Sequence, residues 1–327
     1  MNNSLNNDQA DSITFQIHTE KKLMLIYNVL QNEELILKSK DIPADWSITT
    51  DRRCFPQADA VVFHLPDLLR EMENDVEQSP GQLWVAWYLE SEKNYPGFRS
   101  PEIRETFDLW MSYRQDADVV YPFYRYEYTD IFTRKIFAGH KRNKCCISVS
   151  DRINKSAGHM LYLKELMKHT GIDSYGRLFN NQNPPTDRSA ETKTAIYRGY
   201  KFVIAFEDAH DTDYVTEKFF EPLIAGSVPV YLGAPNINDF APGDHCFVDV
   251  RQFESPRRLA HFINNCYQDD QLYAKFFEWK NQPLRPSFLQ KAEMQKEHPF
   301  VRLCRMVDEK RLSRKNANDA DDVNIRK

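Results

Sequence analysis

Apolar positions in this chain gather into short unbroken runs, and longer stretches between them carry apolar residues at helical spacing. Residues 23–27, 58–64, 83–89, 145–149, 202–206, 228–232 and 247–250 are such runs. Brief segments of aliphatic and aromatic side chains, without a polar residue at every second place, predict parallel strands buried on both faces. Residues 160–169, 192–200, 216–225, 255–263 and 270–279 predict helices, the fourth opening on Ser255-Pro256, with Pro in the first turn. Alternation of these two patterns predicts an α/β fold built from strand-helix-strand units. The polar run Lys141-Arg142-Asn143-Lys144 marks a join between an earlier and a later set of units.

The sharpest unit is 201–235, KFVIAFEDAHDTDYVTEKFFEPLIAGSVPVYLGAP. Strand 202–206 leads into a polar loop, and helix 216–225 buries Phe219, Phe220, Leu223 and Ile224. Gly226 stands where a helix commonly ends in a left-handed residue. The loop therefore lies at the carboxyl edge of a sheet, where open α/β folds bind ligands. Tyr214, Thr216, Glu217 and Lys218 cluster at the helix start, whose free N–H groups favour an anion such as a diphosphate. Lys218 adds a full positive charge, and Glu217 suits a hydroxyl-bearing partner such as a ribose. On these residues alone, a first-turn acid that complements the dipole and a solvated lysine are the plainer reading.

In the first half, strand 83–89 (LWVAWYL) runs directly into Glu90-Ser91. The apolar surface of Trp84, Trp87 and Tyr88 beside Glu90 would raise its pKa toward that of a general base, whereas a solvated loop acid is the plainer reading. His64, ending strand 58–64, reads first as a strand cap. Residues 121–132 are rich in Tyr and Phe, which suits packing between domains and, secondarily, a sugar acceptor.

Phe206-Glu207-Asp208, Asp213-Tyr214-Val215-Thr216-Glu217-Lys218 and Ser227-Val228-Pro229-Val230 with Gly233 together resemble the signature of the α1,3-fucosyltransferases, inverting enzymes that use GDP-fucose. Leu89-Glu90-Ser91, Tyr113-Arg114 with Asp116 and Asp118, and Ile172-Asp173-Ser174-Tyr175-Gly176 extend the resemblance, which is weak over the first 55 residues. It implies two facing Rossmann-like domains of GT-B type with a cleft between them. The implied division is a disordered 1–12, an acceptor-side domain 13–140, a GDP-fucose-binding domain 141–285 and a partly disordered tail 286–327. It also implies that Glu90 deprotonates the acceptor hydroxyl and that Tyr214, Glu217 and Lys218 bind the GDP moiety; Thr216, at the same helix start, is grouped with them in the donor site.

Three positions depart from the family pattern. Asp208 replaces the usual Asn in the donor group, where an added carboxylate weakens diphosphate binding unless it is turned away. Glu92 replaces the Pro that follows the Glu-Ser pair. His159 stands where the family has an Arg on the diphosphate, and Arg152, seven residues earlier, is the alternative phosphate ligand.

Composition narrows the function further. At 327 residues the chain has room for two domains, and 41% apolar and 28% charged residues are ordinary for a globular protein. A net charge of −5 argues against a nucleic-acid binder. Six cysteines without a C-x-x-C pair read as buried thiols in a reducing compartment. G-x-G-x-x-G, the P-loop and G-x-S-x-G are absent, which removes nicotinamide dehydrogenases, P-loop NTPases and the common serine hydrolases. The pair Asp211 and Asp213 resembles a metal-holding motif of other glycosyltransferases, but a helix N-terminus can carry phosphate charge itself, so no essential metal and no cofactor are expected. A transmembrane segment and a signal peptide are absent from the sequence, which predicts a cytoplasmic bacterial-type enzyme, with a Golgi lumenal enzyme as the alternative if the chain is trimmed. GDP-fucose and a glycan such as N-acetyllactosamine are the expected partners. A transferase of the same fold with another nucleotide sugar and a non-catalytic sugar- or nucleotide-binding protein are the competing readings.

Overall fold

Parallel pairing runs through both sheets, as the unalternated apolar runs predict. The computed structural model describes residues 21–28, 42–68, 76–134, 141–147, 157–176, 179–183, 187 and 189–325. The expected disordered segment 1–12 lies outside them. The first sheet holds β1 (Lys22–Ile26), β2 (Trp46–Thr49), β3 (Ala60–His64), β4 (Leu83–Tyr88), β5 (Leu109–Ser112) and β6 (Val119–Val120), in the order β2-β1-β3-β4-β5-β6. The second holds β7 (Arg142–Ile147), β8 (Ile172–Ser174), β9 (Tyr200–Phe206), β10 (Val228–Leu232) and β11 (Val248–Asp249), in the order β11-β10-β9-β7-β8. Sequence pattern alone misses the short strands β2 and β6. The polar residues 142–144 are the exposed start of β7 rather than a connection outside it.

Each strand feeds two cores because successive side chains point to opposite faces. Met24, Ile26, Val62, Val85, Trp87 and Met111 pack on one face of the first sheet. Leu25, Val61, Phe63, Ala86, Tyr88 and Trp110 pack on the other. In the second sheet, Phe202, Ile204, Val228 and Val230 pack with helices Ala157–Leu166 and Pro256–Gln268. Ala205 and Tyr231 pack instead with Phe219 and Phe220 of helix Glu217–Ala225. That helix ends as expected: Gly226 has φ 75°, and its N–H caps the carbonyls of Leu223 and Pro222.

Beyond residue 285, where a partly disordered tail is expected, the described chain runs on to residue 325. It forms helices Pro286–Glu293 and Pro299–Ile325. Phe300, Leu303, Cys304 and Val307, one face of a helix, are fully buried against the first sheet. Asp308, where the composition turns strongly charged, accepts from Lys22 Nζ at 2.5 Å and from Trp46 Nε1 at 3.2 Å. The last helix therefore returns from the second domain to close the core of the first. A tail reading weighed the charged end of this segment and overlooked the apolar stripe at its start. All six cysteines are free, with Cys54 half-buried and the other five buried. No helix among the described residues is long and apolar enough to cross a membrane.

The stripe carries a stability expectation. Leu303→Ala should cost about 2–5 kcal/mol, the usual range for emptying a buried leucine site. Leu312→Ala, 60% exposed on the same helix, should change stability by less than about 0.5 kcal/mol. Urea denaturation of the two variants checks this, and equal effects would mean the helix does not cover the first sheet in solution.

Candidate active site

At the carboxyl end of β9 the chain buries a carboxylate and builds a helix start on it. Glu207 is 1% exposed, accepts from Thr216 N–H at 2.8 Å, and accepts from the Thr216 hydroxyl at 2.7 Å. Burial pushes its pKa up to about 7, against the pull of Lys218 and the two Thr216 bonds. Gly233, just past β10, leaves room for it: a Cβ there would sit 2.4 Å from Glu207 Cγ. Thr216, grouped with the donor residues by the sequence, is 1% exposed, and its oxygen also accepts from Lys218 N–H at 3.3 Å. It acts as the helix cap beneath the site because its hydroxyl is already engaged on both sides.

Lys218 Nζ lies 3.3 Å from Asp208, 3.7 Å from Glu207 and 3.9 Å from Glu217. Burial opposes its charge, but the three carboxylates outweigh burial and raise its pKa, so it stays a cation. Asp208 is not turned away; it lies directly on the lysine. Of the three acids, Glu217 has the most exposed side chain, at 41% against 19% for Asp208 and 0% for Glu207.

The loop between Glu207 and Thr216 reaches across to the first domain. Tyr214 is buried in the first domain's aromatic cluster, its ring edge-on to Tyr113 at 5.1 Å and to Phe123 at 6.0 Å. Its hydroxyl is pushed above the ordinary tyrosine range by burial, then by Glu207, Asp208, Glu90 and Glu217. Glu90 and the three acids around Lys218 thus act on one hydroxyl. Asp211 Oδ2 accepts from Ser91 Oγ at 2.8 Å, from Tyr113 OH at 3.0 Å and from Lys93 N–H at 3.3 Å. Asp213, at φ 66°, accepts from Gln115 N–H at 3.1 Å and from Asn236 Nδ2 at 2.9 Å. Both carboxylates of the metal-like pair are engaged by protein donors.

Glu90 follows β4 and is partly exposed, with buried residues after it. Ser91 is 0% exposed and Glu92 2%. Glu92, next after Ser91, is fixed inside the turn: it accepts from Tyr88 OH, from Arg99 Nε at 2.5 Å and from Arg104 Nη2 at 3.5 Å. A buried carboxylate held by two guanidinium groups and a phenol is a structural anchor.

His159 lies in the first turn of helix Ala157–Leu166, 8% exposed, with its ring 6.0 Å from Phe206 at the end of β9. Its Nε2 is 2.5 Å from His210 Nε2, and His210 Nδ1 is 3.1 Å from the Gly233 carbonyl. A carbonyl only accepts, so His210 carries its proton on Nδ1 and its Nε2 accepts from His159. Burial first, then His210, lowers the His159 pKa below its ordinary value. Arg152, the alternative phosphate ligand, lies outside the described residues.

A family model described as glycosyltransferase family 10 (fucosyltransferase), C-terminal part, matches residues 139–323, and one described as fucosyltransferase, N-terminal, matches 19–124. The chain belongs to glycosyltransferase family 10. This family 10 protein is 30% identical over 238 residues to 4-galactosyl-N-acetylglucosaminide 3-alpha-L-fucosyltransferase 9 of Mus musculus; the match covers 71% of the chain and 63% of that relative's length. It is 32% identical over 256 residues to the Pan troglodytes 4-galactosyl-N-acetylglucosaminide 3-alpha-L-fucosyltransferase FUT6, covering 75% of the chain and 67% of the relative. A solved α1,3-fucosyltransferase with GDP-fucose shares the fold at TM-score 0.60 and 14% identity, over 93% of this chain and 94% of that one. The two parallel-sheet domains accordingly form a GT-B fold.

Of the residues singled out by sequence, the fold brings Glu90, Asp208, Tyr214, Glu217 and Lys218 to one boundary between the domains of the family 10 chain, with Thr216 beneath. His159 stands on the second-domain side, paired with His210. Sequence reasoning overlooked Glu207, Glu92 and His210 as site-building residues. The signal for Glu207 was an acid set directly against a buried strand, with a glycine after the neighbouring strand. The histidine pair yields one expectation: in His210→Ala the His159 titration, followed by side-chain NMR, should move upward, since one group depressing it is gone. An unchanged or lower value would mean the two rings do not interact.

Proposed function

We propose that this protein moves fucose from GDP-fucose, with inversion at C1, onto the 3-hydroxyl of N-acetylglucosamine in a galactosyl-N-acetylglucosaminide. One observation carries the reading: the 2.8 Å bond from Ser91 to Asp211 draws residue 90 up to the loop that leads into Glu217 and Lys218. A carboxylate from the first domain and a cation at a helix start in the second thereby come to one domain boundary, which supports a shared site. Family membership and the acceptor named for both mammalian relatives support it.

In this mechanism Glu90 takes the proton of the acceptor hydroxyl as its oxygen bonds to C1 of fucose. The bond from C1 to the diphosphate oxygen breaks, and its electron pair leaves with GDP. Lys218 and the N–H groups at the start of helix Glu217–Ala225 stabilise the charge gathering there. Asp208 competes for Lys218, so the diphosphate displaces it or shares the lysine with it. Glu217, the most exposed acid, is placed for a ribose hydroxyl. His159 adds positive charge only when protonated, below the ordinary histidine range. Tyr214 fixes the donor loop against the first domain.

GDP release from GDP-fucose, measured with and without N-acetyllactosamine, tests the reading. Glu90→Gln should lower kcat by about 10²–10⁴-fold, the range for general-base catalysis, and leave GDP affinity nearly unchanged. Lys218→Ala should weaken GDP binding by about 1.5–3 kcal/mol, the worth of a charged hydrogen bond. A Glu90→Gln protein above a tenth of wild-type turnover would remove it from the mechanism. GDP binding without any acceptor-dependent release would make the chain a binding protein.

The reaction is proposed to need no metal. Support comes from Asp211 and Asp213, whose oxygens already accept from Ser91, Tyr113, Gln115 and Asn236, and from the cationic helix start. Activity should survive an excess of EDTA. Complete loss, restored by manganese, would return those two aspartates to a metal site.

A further inference from the structure

We propose that Asp211 is a positioning residue for Glu90, acting through Ser91 across the domain boundary. The proposal rests on the reading of Glu90 as the base. Asp211 is 3% exposed, and its Oδ2 gathers Ser91 Oγ, Lys93 N–H and Tyr113 OH, all from the first domain. Lys93 N–H also donates to Ser91 Oγ at 3.2 Å, so the carboxylate grips both ends of the Ser91–Lys93 turn. Inside that turn Glu92 is fixed separately by Tyr88, Arg99 and the Tyr113 hydroxyl, which accepts its N–H at 3.1 Å. Arg99 also reaches Asp211, at 3.6 Å, and joins the two acids.

Glu90 is the residue bonded directly to this anchored turn. On the other side, Asp211 lies five residues before the cap Thr216, and Asp213 is pinned between Gln115 and Asn236. The span from the base to the donor helix therefore runs through one buried carboxylate and the short loop it heads. Misplacing a catalytic group by about 1 Å lowers rate by about 10²-fold, so a loosened turn costs turnover before it costs donor binding.

The test is a mutant cycle on the full chain. Ser91→Ala and Asp211→Asn should each lower kcat about 10–100-fold, with GDP affinity by calorimetry within about twofold of wild type. In a Glu90→Gln background the same changes should cost less than about twofold, because no base remains to be positioned. Should Asp211→Asn lose its fold, Ser91→Ala, which removes one hydroxyl and keeps the charge cluster, carries the test. Unchanged turnover in Ser91→Ala, or equal losses with and without Glu90, would overturn the positioning role while leaving the base in place. A Glu90→Gln protein with wild-type turnover would overturn the base reading itself, a separate result.

Discussion

Glu207 is a carboxyl group buried away from solvent, and much of the second domain answers to that constraint. An acid buried at the end of a strand needs donors and a cation near enough to offset its lost hydration. Thr216 supplies two donors and Lys218 the charge, which fixes where helix Glu217–Ala225 begins. Gly233 follows from the same requirement, since a side chain there would occupy the space of Glu207. The polar groups at the start of this helix thus stand on a buried acid.

The loop that closes over Glu207 ties the two domains together. Tyr214 gives it apolar anchorage in the first domain, and Asp211 and Asp213 give it polar anchorage. Such a boundary has a defined geometry because each contact is directional and screened from water. The departures from the family pattern fall along this boundary or at the donor group. Glu92 fixes the turn after Glu90 through a buried charge cluster with Arg99 and Arg104. Asp208 sits on Lys218, and His159 pairs with His210.

Much of the fold was readable because buried parallel strands leave a simple trace. The runs behind β1, β4, β9 and β10 are apolar throughout, and the helix starting after Thr216 carries both cap and stop signals. The last helix escaped notice for an opposite reason. Its apolar face spans only Phe300 to Val307, and the long charged end that follows dominates any reading by composition. Glu207 and Glu92 escaped because a carboxylate in a sequence carries no mark of burial. Only neighbours distant along the chain, such as Tyr113 and Gly233, decide it.

The sequence by itself determined the alternation of strands and helices, the donor-side helix with its polar start, and Glu90 just past a strand end. These are local properties, set by periodicity, caps and residue order. Tertiary structure alone decided that Thr216 serves as a buried cap, that Asp208 engages Lys218, and that Asp211 meets Ser91 from 120 positions away. A hydrogen bond depends on distance and direction between groups. Those are set when two sheets pack, and the order of residues along one chain does not record them.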